Sequence, residues 1–223
     1  MKNEILLVSA FLSAILILSL CSVRKDALIA ALFSLMVMIP MFGYKVVNTV
    51  ILSINATAPI YASVLIGFVM LCHIYGKKEA DSAISSVMIA VFTFVTLGYL
   101  ISRITCIHSD IDQSAKLLFD LSPRLAISSL VAFYVSSRLT IYIYDALKRL
   151  RMNYVLAMMT AVSIGQFADS SLFFPLAFLF VEPMKEVSIL TVSGAMNKIY
   201  ASILAIPFFI AVTRHHGYSC RRG

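Results

Sequence analysis

A chain of 223 residues that is 61% hydrophobic and only 13% charged, with mean hydropathy +0.94, has too little polar surface to cover a soluble globule of its size. Its formal charge of +7 sits in short basic clusters between apolar runs, which is a topology pattern and not that of a nucleic-acid-binding protein. The four cysteines, Cys21, Cys72, Cys106 and Cys220, follow no CxxC or His-Cys spacing, so neither a disulfide framework nor a zinc site is supported.

A bilayer core of about 30 Å takes about 20 apolar residues per helix, and several windows here reach that length. Membrane-barrel strands would alternate apolar and polar residues in short segments, and these runs do not. The expected fold is therefore an all-α integral membrane protein: one domain, residues 1–223, forming a polytopic bundle of six to seven transmembrane helices.

The first predicted span, 5–22, is followed by Arg24-Lys25 and lacks a strongly basic leader or a small-x-small cleavage site, so it reads as a retained helix. The second run, 27–54, is too long for one straight crossing; Pro40 and Gly43 predict a kink, with Lys45 and Asn48 beyond it. The spacings Ala10-x-x-x-Ala14 and Ala27-x-x-x-Ala31 suit close helix packing. A third span, 58–75, ends at the turn Gly76-Lys77-Lys78, and a fourth covers 83–104. The longest polar connection follows, with an amphipathic stretch at 115–119 that suits a short interfacial helix. The fifth span, 123–147, opens on Pro123, where a missing N–H does no harm. The sixth, 154–181, contains Gly165 and Pro175; the seventh is 187–213.

The loops after spans one, three and five, plus the tail, hold ten of the 18 basic residues, while the alternate loops hold most of the acids. The positive-inside rule then predicts a multi-pass protein of the cytoplasmic (inner) membrane with its N-terminus outside and C-terminus inside.

Polar groups inside the apolar runs mark candidate sites. Asp169 stands in the middle of span six, and an aspartate at the bilayer centre costs at least ~3 kcal/mol, so such groups face a bundle interior, a partner charge or a transport pathway. Gln166 lies three residues earlier on the same helical face and Phe173 one turn later; Lys198, deep in span seven, is the candidate counter-charge. Together these residues suggest a polar pocket between helices. The alternatives are an Asp169–Lys198 pair acting only as internal glue, and a Gln166 that merely bonds a neighbouring helix. Arg138 is expected to snorkel, Lys45 and Asn48 can sit at a rim, and His73 stands almost at a turn. There is no HExxH, GxSxG, paired intramembrane aspartate or phosphate-binding glycine loop, so no catalytic residue, metal ligand or cofactor is indicated.

Several segments in order resemble the queuosine precursor transporter family, which is related to the substrate-binding components of vitamin uptake systems. Tyr75-Gly-Lys-Lys-Glu-Ala80 is similar to that family's turn, and the stretch from Ser122-Pro-Arg124 through Ser128, Ala132 and Tyr134 to Ser136 is similar to its following span. Gln166-Phe-Ala-Asp169 with Phe173 resembles its SQ-x-x-D-x-x-x-F signature, and Lys198 falls where the family has a lysine. The opening Met1-Lys-Asn-Glu-Ile-Leu-Leu resembles members with an additional first helix. The resemblance implies an importer of 7-deazaguanine-type bases, with the base as its small-molecule partner, lipid around it and no nucleic acid bound. Without an ATP-binding motif, the driving force would be a gradient, a coupled ion, trapping or a separate energising subunit. It further implies that Asp169 accepts from ring N–H or amine groups, that Gln166 offers an amide edge, that Phe173, Phe174 or Tyr134 stacks, and that Arg124 and Asn48 line the rim or contact the base.

The sequence departs from the family's polar pattern at Val69, His73, Ser137 and Thr140, and near Ala157, Met158 and Met159. Lost polar groups would change which ligand fits. The readings set against a queuosine precursor are another vitamin or nucleobase, bound alone or as part of an energised complex, and a non-transporting membrane scaffold.

Overall fold

The computed structural model describes residues 2–42, 46–48, 53–105, 109–119 and 123–215. Lys45, Cys106, Asp120, His216, Cys220, Arg221 and Arg222 lie outside the described residues, as do the side chains of Asn48, Asp112, Arg214 and His215. The helices are α1 (Lys2–Cys21), α2 (Lys25–Phe42), α3 (Ala58–Tyr75), α4 (Lys77–Ser102), α5 (Ser109–Phe119), α6 (Pro123–Arg149), α7 (Tyr154–Phe178) and α8 (Met184–His215). Five of them, α2, α3, α4, α6 and α7, are long and apolar enough among the described residues to cross a membrane. The result is a helical membrane bundle, as the apolar runs require.

The second run corrects the sequence reading. The helix does not kink at Pro40 and continue to 54; it stops at Phe42, and two short strands follow, β1 (Val46–Asn48) and β2 (Ser53–Asn55). They pair antiparallel, Val46 with Asn55 and Asn48 with Ser53. Past the Pro40 and Gly43 breakers the chain is rich in β-branched residues, which suit strands better than helix once the end of a span has been reached.

A single residue joins α3 to α4. Gly76 has φ +95° and ψ 164°, a conformation open to glycine alone, so α4 begins at Lys77 and not at 83. The amphipathic stretch forms α5, whose Phe119 ring lies 5.7 Å from that of Phe94 and against the backbone of α4 at Gly98. Asn153 caps α7 by accepting from the Val155 N–H at 3.0 Å.

α3 is the axis of the bundle. Every residue from Tyr61 to Cys72 is buried, and α1, α2, α4, α6, α7 and α8 all pack against it. Its apolar character on all sides is what a helix without a lipid face needs. At one end the turns after α1, α3 and α6 gather Arg24, Lys25, Lys77, Lys78, Lys148, Arg149 and Arg151, with Lys25 bridged to Glu79 at 3.2 Å. The opposite end carries the hairpin, α5 and the α7–α8 turn.

Candidate binding site

Near that opposite end, the second halves of α2, α4 and α7 and the first halves of α3, α6 and α8 line a partly open cavity of about 440 Å³. Helical spacing builds its walls. On α8 the face Leu190, Ser193, Gly194, Asn197 and Lys198 turns inward; on α6 it is Leu125, Ala126, Ser129, Leu130 and Phe133. α7 contributes Asp169, Phe173 and Phe174, and α3 contributes Thr57, Ala58 and Tyr61.

Asp169 is 3% exposed and its Oδ2 accepts from the Lys198 ammonium across the α7–α8 contact. Oδ1 accepts from the Tyr61 hydroxyl at 2.5 Å and from Ser136 Oγ at 3.5 Å. A carboxylate offers about four lone-pair sites. Three of them are thus engaged by α3, α6 and α8, leaving one for an occupant. Pairing plus hydrogen bonds is also what makes a buried carboxylate tolerable, because an isolated charge there would be strongly unfavourable. The Lys198 Nζ stands 4.9 Å from the Tyr61 ring centre and 6.0 Å from that of Phe173, so aromatic faces flank the pair. Phe173 and Phe174 meet edge to face at 5.1 Å, and Phe174 packs against the backbone of α8 at Gly194, where any side chain would displace it.

Of the residues singled out in the sequence, Asp169, Lys198 and Phe173 come together at the cavity. Gln166, Arg124 and Tyr134 do not line it, and each has other work. Gln166 is fully buried and its amide donates to Ser202 Oγ at 3.2 Å; Ser202 in turn donates to the Lys198 carbonyl at 2.9 Å. This tie, one turn from the ion pair, fixes the register of α8 on α7. The Arg124 guanidinium donates to the carbonyl of Leu176 at 2.9 Å and to that of Leu179, satisfying acceptors that the end of α7 leaves open. Tyr134 lies under the Arg138 guanidinium at 4.9 Å, and Arg138 donates to Ser85 Oγ at 3.0 Å, linking α6 to α4.

Tyr61, Asn197 and Ser193 line the cavity without having been singled out. Ser193, Asn197 and Lys198 share one helical face, a signal present in the sequence; Tyr61 gave none, because its partner lies 108 positions away. Val69, His73, Ser137, Thr140, Ala157, Met158 and Met159, where the family's polar pattern is broken, are all outside the described lining. His73 instead bonds Tyr144 at 2.6 Å through Nδ1 and lies tilted against the Tyr154 ring at 4.4 Å, near the basic end.

The chain is 27% identical over 161 residues to the "Probable queuosine precursor transporter" of Bacillus subtilis (strain 168), covering 69% of each chain. No solved structure matches it. The profile of the family described as "Putative vitamin uptake transporter" matches residues 55–212, which takes in the ion pair and every lining residue from Thr57 to Lys198. On that match, this polytopic membrane protein belongs to the putative vitamin uptake transporter family.

Proposed function

We propose that this protein imports a queuosine precursor, a 7-deazaguanine-type base, across the cytoplasmic membrane for salvage into tRNA. The observation that carries the reading is the Asp169–Lys198 pair at the wall of an aromatic-flanked cavity. The pair sets an anionic acceptor beside a cationic donor, the complement of the HN–C=O edge of a guanine-like ring. Asp169 would accept from the ring N–H or the exocyclic amine, Lys198 would donate to the carbonyl, and Phe173 or Phe174 would cover a ring face. Gln166 acts through Lys198 and Ser202 by holding α8 in place, and Arg124 by finishing α7. Asn48 is left as a rim candidate on β1.

The polar network stands in the half of the bundle opposite the basic turns. By the positive-inside rule the basic turns are cytoplasmic, so the cavity loads from outside, with the N-terminus outside and the C-terminus inside. The similarity to a protein named for queuosine precursors and the departures that avoid the lining both favour this base over another vitamin.

Complementation tests it. A cell that lacks its own precursor importer and cannot make queuosine should regain queuosine in tRNA when it expresses this gene and receives the base at low concentration. Supply of each precursor without recovery refutes the import reading. Tyr61→Phe keeps the ring and deletes the O–H that holds Asp169 Oδ1, a bond to a charged acceptor worth about 1.5–3 kcal/mol. The expected result is an uptake KM raised at least ~10-fold with folding retained. An unchanged KM would remove Tyr61 from the site.

A further inference from the structure

The helices that build the site at the outer half of the bundle meet again, under a second polar tie, at the basic end. Among the described residues α7 packs on α6 and on α8 more extensively than α3 packs on any of the three, so α3 faces the α6–α7 pair across a lighter seam. A polar tie crosses that seam at the cavity, where the Tyr61 hydroxyl bonds Asp169 and Ser136. Another stands about three turns further along α3. There His73 Nδ1 is 2.6 Å from the Tyr144 hydroxyl, and the His73 ring lies 4.4 Å from that of Tyr154. Tyr144 and Tyr154 meet edge to face at 6.5 Å, so one cluster joins α3, α6 and α7.

Between the two ties the seam is closed by apolar packing. Val69 to Cys72 on α3, Ile141 on α6, and Met158 and Val162 on α7 are all buried. The Phe133 ring at the cavity stands 6.0 Å from those of Tyr61 and Phe68. One group breaks the pattern. Ser137 lies four residues after Phe133 and seven before Tyr144, on the α6 face that meets α3 at both. Its hydroxyl is fully buried and has no hydrogen-bond partner among the described residues. An unpaired buried hydroxyl is unfavourable in the closed seam and would be satisfied in a state where the seam parts. A carrier exposes its site to one face at a time, so with the cavity in the outer half, release into the cytoplasm requires the bundle to open on the other side of the site.

We propose that the base leaves its site along the seam between α3 and the α6–α7 pair, and that His73, Tyr144 and Tyr154 form the cytoplasmic gate that parts to release it. Such an exit rests on the import reading above and adds to it the step after binding.

Ser137→Cys is a near-isosteric probe of the route, and Ala31→Cys, at a buried position of α2 outside the seam, is its control. Inside-out membrane vesicles carrying the full chain would be given 7-cyano-7-deazaguanine or queuine, whichever they transport. A small, membrane-impermeant sulfonate-bearing methanethiosulfonate would be added on the cytoplasmic face and modification read at each position by mass spectrometry of the digested chain. During transport position 137 should react at least ~10-fold faster than position 31, because only the seam opens. Without base, adding His73→Ala to Ser137→Cys should raise the rate at position 137 at least ~10-fold, since the bond and the ring contact are lost together. Tyr144→Phe, which deletes the bond and keeps the rings, should act in the same direction to a smaller extent, and it decides the matter if the alanine variant does not fold. Equal rates at positions 137 and 31 overturn the exit route. A rate at position 137 that neither gate substitution changes overturns the gate. Both results leave the import reading intact, whereas vesicles that transport neither base remove that reading and the exit with it.

Discussion

Asp169→Asn is expected to cut uptake of the labelled base at least ~100-fold and to lower thermal stability as well, by two separable routes. The stability loss comes from Lys198, whose side chain is only 20% exposed and would be left without its counter-ion; breaking one side of a buried pair costs about 3–5 kcal/mol. The transport loss comes from the ligand, which loses its anionic acceptor. Asp169→Asn combined with Lys198→Met separates them. Removing both charges together leaves neither ion without its partner, so the double variant should recover most of the melting temperature and none of the uptake. A scaffold built on internal glue predicts that the double variant is fully functional. Wild-type uptake by the double variant would therefore end the transport role assigned to this pair.

Gly165→Ala should destabilise the protein even though alanine is the better helix former by about 1 kcal/mol. A Cβ at Gly165 would overlap Thr140 Oγ1, and the Thr140 Cβ stands 3.2 Å away, with the Ser136 carbonyl at 3.4 Å. Thr140 cannot easily swing aside, because its hydroxyl donates to that same carbonyl at 2.7 Å. Helices α6 and α7 must then separate, and overpacking of this kind costs typically 1–3 kcal/mol, which outweighs the propensity gain. Gly165 stands one turn before Asp169 and packs beside Ser136, so the separation also loosens the Ser136 bond to the carboxylate. Thermal unfolding in detergent should show a lower midpoint for Gly165→Ala and partial recovery when Thr140→Ala is added. A higher midpoint for the single variant would show that the α6–α7 seam has slack.

The residues themselves explain which parts of this arrangement could be read in advance. Asp169 stood out because a carboxylate in an apolar run has few inexpensive environments, and Lys198 because it was the nearest cation able to reach it. Phe173 followed from helical spacing. Arg124 entered through the family resemblance and its place near the end of its span, yet its partners are the Leu176 and Leu179 carbonyls, 52 and 55 positions away, which no local pattern announces. Gln166 was placed on the right face of α7, but its neighbour Ser202 turned it into a brace. The hairpin after Phe42 was missed because apolar, β-branched stretches read alike as membrane helix or strand, and only the end of the span decides between them.

The sequence by itself determined that this chain is a bundle of membrane helices, and it marked the acid and the lysine inside the apolar runs. Those properties follow from the cost of leaving polar groups in hydrocarbon, which acts on each residue wherever its neighbours are. The tertiary structure alone decided that the ion pair closes and still borders a cavity, that Tyr61 completes it, and that α2 and α4 contribute apolar side chains to its described lining. Those features depend on which helix faces meet across the bundle, a relation between residues 29 positions apart for the ion pair and 108 for Tyr61 that composition and periodicity do not encode.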